Sequence, residues 1–262
     1  MIKRIATALL IVGCVVLIAL YMFQEKIIFQ SEKLDKDYTY SFAQEFEEVN
    51  LKTNDGETIN ALHFKVKNPK GIILFFHGNK GNLSRWGNLV SYFEAYQYDV
   101  FVIDYRNYGK STGSYNEEAM YKDGLLAYEY VKQKFQEDQI VVYGRSLGCT
   151  FATRVALHKN PKHLILEAPF YNMKKGARFY SKLTPTFILK YQFRTDLDIP
   201  KVVSPITFFH GDEDKTTSFI ESKELFQLVT SQQKKFVAIS KGTHHNLKEF
   251  DLYKSELAKI LE

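Results

Sequence analysis

Ile140-Val141-Val142-Tyr143-Gly144-Arg145-Ser146-Leu147-Gly148, followed by Cys149 to His158, is the stretch on which the reading of this chain turns. Ile140 to Tyr143 is a short apolar run of the kind buried on both faces of a parallel sheet, and Cys149 to His158 has the composition of a helix. A Gly-x-Ser-x-Gly sequence between a buried strand and a helix is the pattern of a nucleophile elbow. The serine sits on a turn so sharp that its own backbone is strained, its neighbours must be small, and its hydroxyl is lifted clear of the sheet. The pentapeptide alone arises by chance in chains of this size; the strand before it and the helix after it make Ser146 the candidate nucleophile, at a helix N-terminus.

Outward from that turn, short β-rich runs alternate with longer helical stretches. Glu47 to Leu51 and Thr58 to Val66 flank the Asn54-Asp55-Gly56 turn and predict an opening antiparallel hairpin. Continuous apolar runs at Gly71–Phe76, Val100–Asp104, Leu164–Leu166, Ile206–Phe209 and Phe236–Ile239 predict parallel strands buried on both faces. The expected fold is α/β, a mostly parallel central sheet flanked by helices. Ligands of such sheets collect beyond the carboxyl ends of the strands.

A serine hydroxyl needs a base, and the base needs an orienting acid. In the α/β-hydrolase fold these follow the serine in the order acid, then histidine. His210-Gly211-Asp212-Glu213-Asp214 comes after one predicted strand, and His244-His245 after the last. Asp214 is the expected acid, Asp212 reads as a turn residue, and Glu167 as a partly buried structural acid. Spacing does not separate His244 from His245. His63, His158 and His163 read as structural histidines, and no spacing among the seven histidines resembles a metal site. The oxyanion of an acyl-transfer transition state needs two N–H donors. Leu147, after the nucleophile, supplies one, and Asn79, in the Gly78-containing loop after the first parallel strand, supplies the other.

The segments His77-Gly78-Asn79 with Gly81-Asn82, Asp104-Tyr105-Arg106 with Tyr108-Gly109-Lys110-Ser111, and Gly144 to Gly148 together resemble membrane-anchored α/β-hydrolase-domain proteins, a group that includes depalmitoylating thioesterases and bacterial members with a serine-aminopeptidase-like domain. The resemblance covers nearly the whole chain, including Ile27-Ile28-Phe29-Gln30 with Lys33-Leu34. It implies Asp214 as the acid, at the last position of H-G-x-x-D, and His245 as the base, the histidine before Asn246. Hydrolysis by such a triad is expected to need no metal or organic cofactor. The chain departs from the family pattern at Asn107 and Cys149, where glycine is usual, and at Thr217-Ser218, where Val-Pro is usual; none of these removes a catalytic group.

Lys3 and Arg4 precede an uncharged apolar run, Ile5 to Phe23, which as a helix would be roughly 28 Å long, enough to span a bilayer. A cleaved signal peptide would have a shorter apolar core and a small-x-small cleavage site, which is not found here. Ile11-Val12-Gly13-Cys14 resembles a lipoprotein cleavage box, but Val15 to Phe23 is apolar where a polar tether would follow. The expectation is an anchor at 1–23, a linker at 24–43 and a catalytic domain at 44–262, single-pass, with the domain on the exported side. That orientation sets Lys3 and Arg4 against Lys26, Lys33 and Lys36 beyond the span. Cys14 falls in the span and Cys149 in the core, so no disulfide is expected.

Residues 171–205, between two predicted strands, stand where such enzymes carry a cap. Basic residues such as Lys174, Arg178, Lys182 and Lys190 are interleaved there with Phe179, Tyr180, Phe187 and Tyr191, a blend suited to a membrane surface; an ordinary helix covering the site fits the same pattern. The net charge of +5 comes without a nucleic-acid motif, which argues against a nucleic-acid partner. The expected function is serine hydrolysis of a small-molecule or lipid acyl ester or thioester. An aminopeptidase-like serine peptidase is the alternative, although it would want carboxylates for a substrate ammonium, and the cap's acids are only Asp196 and Asp198. A catalytically inactive tethered scaffold is the third reading. Epoxide hydrolases and haloalkane dehalogenases attack with a carboxylate where this chain has Ser146.

Overall fold

The computed structural model describes residues 1–262. Eight strands form one sheet: β1 (Phe46–Lys52), β2 (Thr58–Phe64), β3 (Gly71–Phe76), β4 (Tyr98–Ile103), β5 (Ile140–Arg145), β6 (His163–Glu167), β7 (Ile206–Gly211) and β8 (Lys234–Ile239). Their spatial order is β1-β2-β4-β3-β5-β6-β7-β8. Only β2 runs against its neighbours, pairing antiparallel with both β1 and β4; every other pairing is parallel. The expected hairpin and parallel runs are thus all present. β3, β4 and β7 are buried at every position, as strands covered on both faces must be.

The helices are α1 (Ile2–Ile28), α2 (Leu83–Val90), α3 (Glu117–Lys132), α4 (Gly148–His158), α5 (Met173–Tyr180), α6 (Thr195–Asp198), α7 (Phe219–Gln227) and α8 (Asp251–Leu261), of which α2, α3, α4, α7 and α8 pack on the sheet and α1 projects from the domain. Alternate side chains of each strand point to opposite faces, so two cores form. One holds Ile72, Leu74 and Phe76 with Phe151 and Val155 of α4. The other holds Ile73 and Phe75 with Trp86, Phe93 and Tyr253. Asn82 and Asn116 cap α2 and α3 by accepting from Ser84 N and Ala119 N, which fixes where the chain leaves the strand ends.

The N-terminal region differs from its expected division. α1 does not end with the apolar run but continues to Ile28, and within the segment expected as a linker, 24–43, Gln24, Phe29 and Tyr40 are buried while most other residues are exposed. Phe29 and Tyr40 are buried, Gln30–Ser31 pairs in parallel with Lys80–Gly81, and Phe29 stacks on Tyr115 at 4.2 Å between ring centres. The sequence signal of a linker here was its charge; what holds it to the domain is burial of Phe29 and Tyr40 and the contact of Phe42 with Phe64, while Tyr38 stays exposed. α1 is long and apolar enough to cross a membrane.

Candidate active site

β5 delivers Ser146 at φ 52°, in the left-handed region that is uncommon and strained for a non-glycine residue. Its N–H donates to the Glu167 carbonyl at 2.8 Å, and Cys149 N donates to its carbonyl at 3.0 Å, so both sides of the strained residue are held. The flanking glycines are required by space. A Cβ at Gly148 would lie 2.0 Å from the Phe76 carbonyl oxygen, and one at Gly144 would lie 2.6 Å from Cys149 Cα and 2.7 Å from Ala152 Cβ. The elbow therefore sits directly on the end of β3 and on its own helix.

Asp214 follows β7 and is buried. Its Oδ1 accepts from the Thr216 and Thr217 amides at 2.7 and 2.9 Å. Its Oδ2 accepts from Thr217 Oγ1 at 3.0 Å and pairs with His244 Nδ1 at 2.7 Å, with His210 Nε2 at 3.3 Å. Burial pushes this carboxyl upward, but the hydrogen bonds from His210 and His244, the charge on His244 and the Thr217 amide outweigh it and hold Asp214 well below the usual carboxylate range. Asp214 is thus ionised over all ordinary pH.

The partner of that carboxylate is His244, and the expectation of His245 is corrected. His245 is exposed, and lines a small recess with Arg145, Trp86, Tyr92 and Lys248, away from Asp214. Its basicity is lowered, first by partial burial and then by the neighbouring His244 and Arg145. The reversal has a local cause. Asn246 Oδ1 accepts from Thr243 N and Oγ1 at 2.7 and 2.9 Å, closing a tight turn in which consecutive side chains diverge. Arg145 Nη2 donates to the His244 carbonyl at 2.8 Å, tying this turn to the residue beside Ser146. Sequence adjacency to Asn246 carries no information about which ring faces the acid.

The oxyanion candidates lie together with the serine. Asn79, Ser146 and Leu147 all line one cavity of about 450 Å³. Neither the Asn79 nor the Leu147 amide donates to a protein acceptor. The Asn79 loop is held by its other groups: its carbonyl accepts from Gln30 N at 3.0 Å and Tyr108 Oη at 2.8 Å, and its Nδ2 donates to the Ile28 carbonyl at 2.9 Å. Much of the remaining wall is apolar, with Phe170, Met173 and Ile188 from the cap side and Leu20 and Ile27 from α1, and Gln24, Thr216, Ser218 and Glu221 add polar groups.

Other residues fall as follows. Glu167, read as a structural acid, is buried and pairs with Arg145 at 3.0 Å and with the Tyr143 hydroxyl. Asp212 accepts from Lys241 N at 2.7 Å in an exposed turn. His63 pairs with Asp99 at 2.8 Å and His163 with Thr207 Oγ1 at 2.9 Å, both outside the cavity. Sequence reasoning missed Thr217, seen only as a departure from a family pattern, whose hydroxyl touches Asp214 and lies 3.4 Å from His244 Nδ1. It also missed Arg145 as the link to the histidine turn and His210 as a second histidine on Asp214; the four-residue spacing of His210 and Asp214 was the available signal.

Comparison with known proteins agrees with this architecture. Residues 67–201 match the family model described as serine aminopeptidase, S33. The chain is 28% identical to protein bem46 of Schizosaccharomyces pombe over 278 aligned residues, covering 99% of this chain and 92% of that protein. It is 28% identical to the lysophosphatidylserine lipase ABHD12 of Danio rerio, covering 65% of this chain and 50% of the lipase. Among solved structures, an esterase of Pyrococcus furiosus superposes with a TM-score of 0.71 at 17% identity, covering 89% of this chain and 97% of that one. Est1E of Butyrivibrio proteoclasticus, solved with ferulic acid, superposes at 0.65 with 19% identity over 82% of this chain and 100% of its own. With the family model spanning more than half its length, this chain is a hydrolase that belongs to the serine aminopeptidase S33 family of the α/β-hydrolase fold.

Proposed function

We propose that this protein is a membrane-anchored serine hydrolase that cleaves the ester or thioester of a single acyl chain through an acyl-enzyme on Ser146. Residues 1–23 are the anchor, 44–262 the catalytic domain and 171–205 its cap, with 24–43 the connection between them. The carrying observation is that Ser146, at φ 52°, opens on a largely apolar cavity together with two amides, Asn79 and Leu147, that have no protein acceptor.

In this reading His244 Nε2 takes the proton from Ser146 Oγ as the oxygen attacks the acyl carbon. Asp214 on Nδ1 holds the imidazole in the tautomer whose Nε2 is free to accept, and stabilises the imidazolium that forms. The Asn79 and Leu147 amides, fixed before the substrate arrives, donate to the developing oxyanion, and need no reorganisation. His244 returns its proton to the leaving alkoxide or thiolate. Water, deprotonated by the same histidine, then releases the acid. The similarity to a lysophosphatidylserine lipase supports a lipid amphiphile as substrate, and the cap's exposed Leu183 and Phe187 support its contact with a bilayer. Lys3 and Arg4 ahead of the span support a catalytic domain on the exported side.

Fluorophosphonate labelling of wild type and Ser146→Ala, with p-nitrophenyl esters from two to sixteen carbons and an aminoacyl-p-nitroanilide as the peptidase substrate, tests this. Labelling lost in the variant and ester turnover rising with chain length are expected. Amide turnover exceeding ester turnover would replace the reading with the peptidase one. A folded wild type that takes no label would replace it with an inactive scaffold.

A further inference from the structure

The anchor helix enters the catalytic domain in a way that a tether does not require. Leu20, Gln24, Ile27 and Ile28 repeat at helical spacing and all line the cavity that holds Ser146. The polar member of this stripe is fully engaged: Gln24 is 6% exposed, its Nε2 donates to the Ile188 carbonyl at 3.2 Å, and its Oε1 accepts from Lys190 N at 2.8 Å. One position on, Glu25 accepts from Tyr191 Oη at 2.9 Å and pairs with Lys190 at 3.3 Å. At the helix end the Ile28 carbonyl accepts from the Asn79 side chain at 2.9 Å. The last two turns of α1 are therefore bonded both to the cap and to the loop that carries an oxyanion amide.

The same turns leave the bilayer. The uncharged apolar run ends at Phe23, so Leu20 lies at hydrocarbon depth and Ile28 about 12 Å further along the axis at 1.5 Å per residue. Leu20 and Ile27 are each partly exposed, at 37% and 62%, on a helix face that also lines the cavity. The apolar side chains Leu20, Ile27 and Ile28, on either side of the engaged Gln24, thus run from membrane level to the cavity that holds the nucleophile.

We infer that the membrane-exit turns of α1 are part of the substrate site: with Ile188 and Leu189 of the cap they form a groove through which an acyl chain passes from the bilayer to Ser146 without crossing water. This rests on the acyl-hydrolase reading. It makes Leu20 and Ile27 determinants of chain-length preference, and it makes the retained helix, rather than a cleaved leader, a condition of the complete site.

The test uses the full-length chain in phosphatidylcholine nanodiscs. The readout is the ratio of kcat/KM for p-nitrophenyl palmitate to that for the butyrate, with fluorophosphonate labelling of Ser146 as the measure of folded enzyme. Leu20→Trp and Ile27→Trp fill the groove and are expected to lower the ratio at least ten-fold, whereas Leu10→Trp, in the span and away from the cavity, leaves it unchanged. Leu20→Ala and Ile27→Ala remove only partly exposed side chains, so they keep the fold if the tryptophans do not, and they are expected to move the preferred chain longer. Full labelling with an unchanged ratio in all four groove variants would overturn the inference and leave the hydrolase reading standing. A wild type that neither labels nor turns over any ester would overturn both.

Discussion

His244 Nδ1 lies 2.7 Å from Asp214 Oδ2, while the next residue, His245, points into a separate recess lined by Arg145 and Trp86. Two adjacent histidines are thus assigned different environments by one turn. His244→Ala is expected to lower ester kcat/KM by at least about 10³-fold, and His245→Ala by less than about ten-fold. Steady-state kinetics on the two variants checks it; equal losses would refute the assignment.

Ser146 carries backbone strain at φ 52°. Replacing it by glycine removes the left-handed penalty, worth about 1 kcal/mol, which in a domain of this size raises Tm by about 2–4 °C. Ser146→Gly is therefore expected to be more stable than Ser146→Ala by thermal denaturation, with both variants losing at least about 10⁴-fold in turnover.

Gly148 packs against the end of β3, where a Cβ would meet the Phe76 carbonyl oxygen at 2.0 Å. That neighbour is backbone within the sheet and cannot yield cheaply. Gly148→Ala is expected to cost about 3 kcal/mol or more, seen as a collapse of soluble or detergent-stable yield. Gly13→Ala, with open space around it, serves as the control and is expected to express normally.

Arg145 bridges Glu167 at 3.0 Å and the His244 carbonyl at 2.8 Å. It touches no reacting atom, so it positions rather than catalyses. Arg145→Met is expected to lower kcat by about 10- to 100-fold with little change in KM, because it loosens the turn that carries the base. Arg145→Lys keeps the charge but not the fork geometry and should recover only part of the loss.

His163 and Asp214 contribute to the pH dependence of stability over different ranges. Burial, followed by the nearby Lys162 charge, pulls His163 down to about 4. The unfolded chain therefore takes up a proton near its ordinary value of about 6.5 that the folded chain refuses, and stability falls as pH drops from about 6.5 to 4. Asp214 is depressed in the folded state, so its contribution is intact above about 3.9, the unfolded value, and is lost only below it. His163→Gln is expected to flatten the fall in Tm between pH 7 and 4.5, and Asp214→Asn to leave its slope unchanged over that range.

The strand runs, the elbow at Ser146 and the position of Asp214 beyond a strand end were legible in the sequence because each depends on local chemistry. A buried parallel strand must be continuously apolar, and a strained turn against a helix and a sheet must be flanked by glycine. The choice between His244 and His245 was not legible, since it depends on how a turn closed by Asn246 and tethered by Arg145 rotates against a carboxylate thirty residues away in sequence. The contacts of the charged stretch 24–43 were hidden for a related reason: its Phe29 and Tyr40 are buried only where the domain offers grooves for them. The sequence by itself determined the layered sheet, the strained serine and an apolar helix long enough for a bilayer. Only the tertiary structure decided which imidazole meets the acid and that the end of that helix walls the cavity, because both are contacts between segments whose distance along the chain gives no measure of their distance in space.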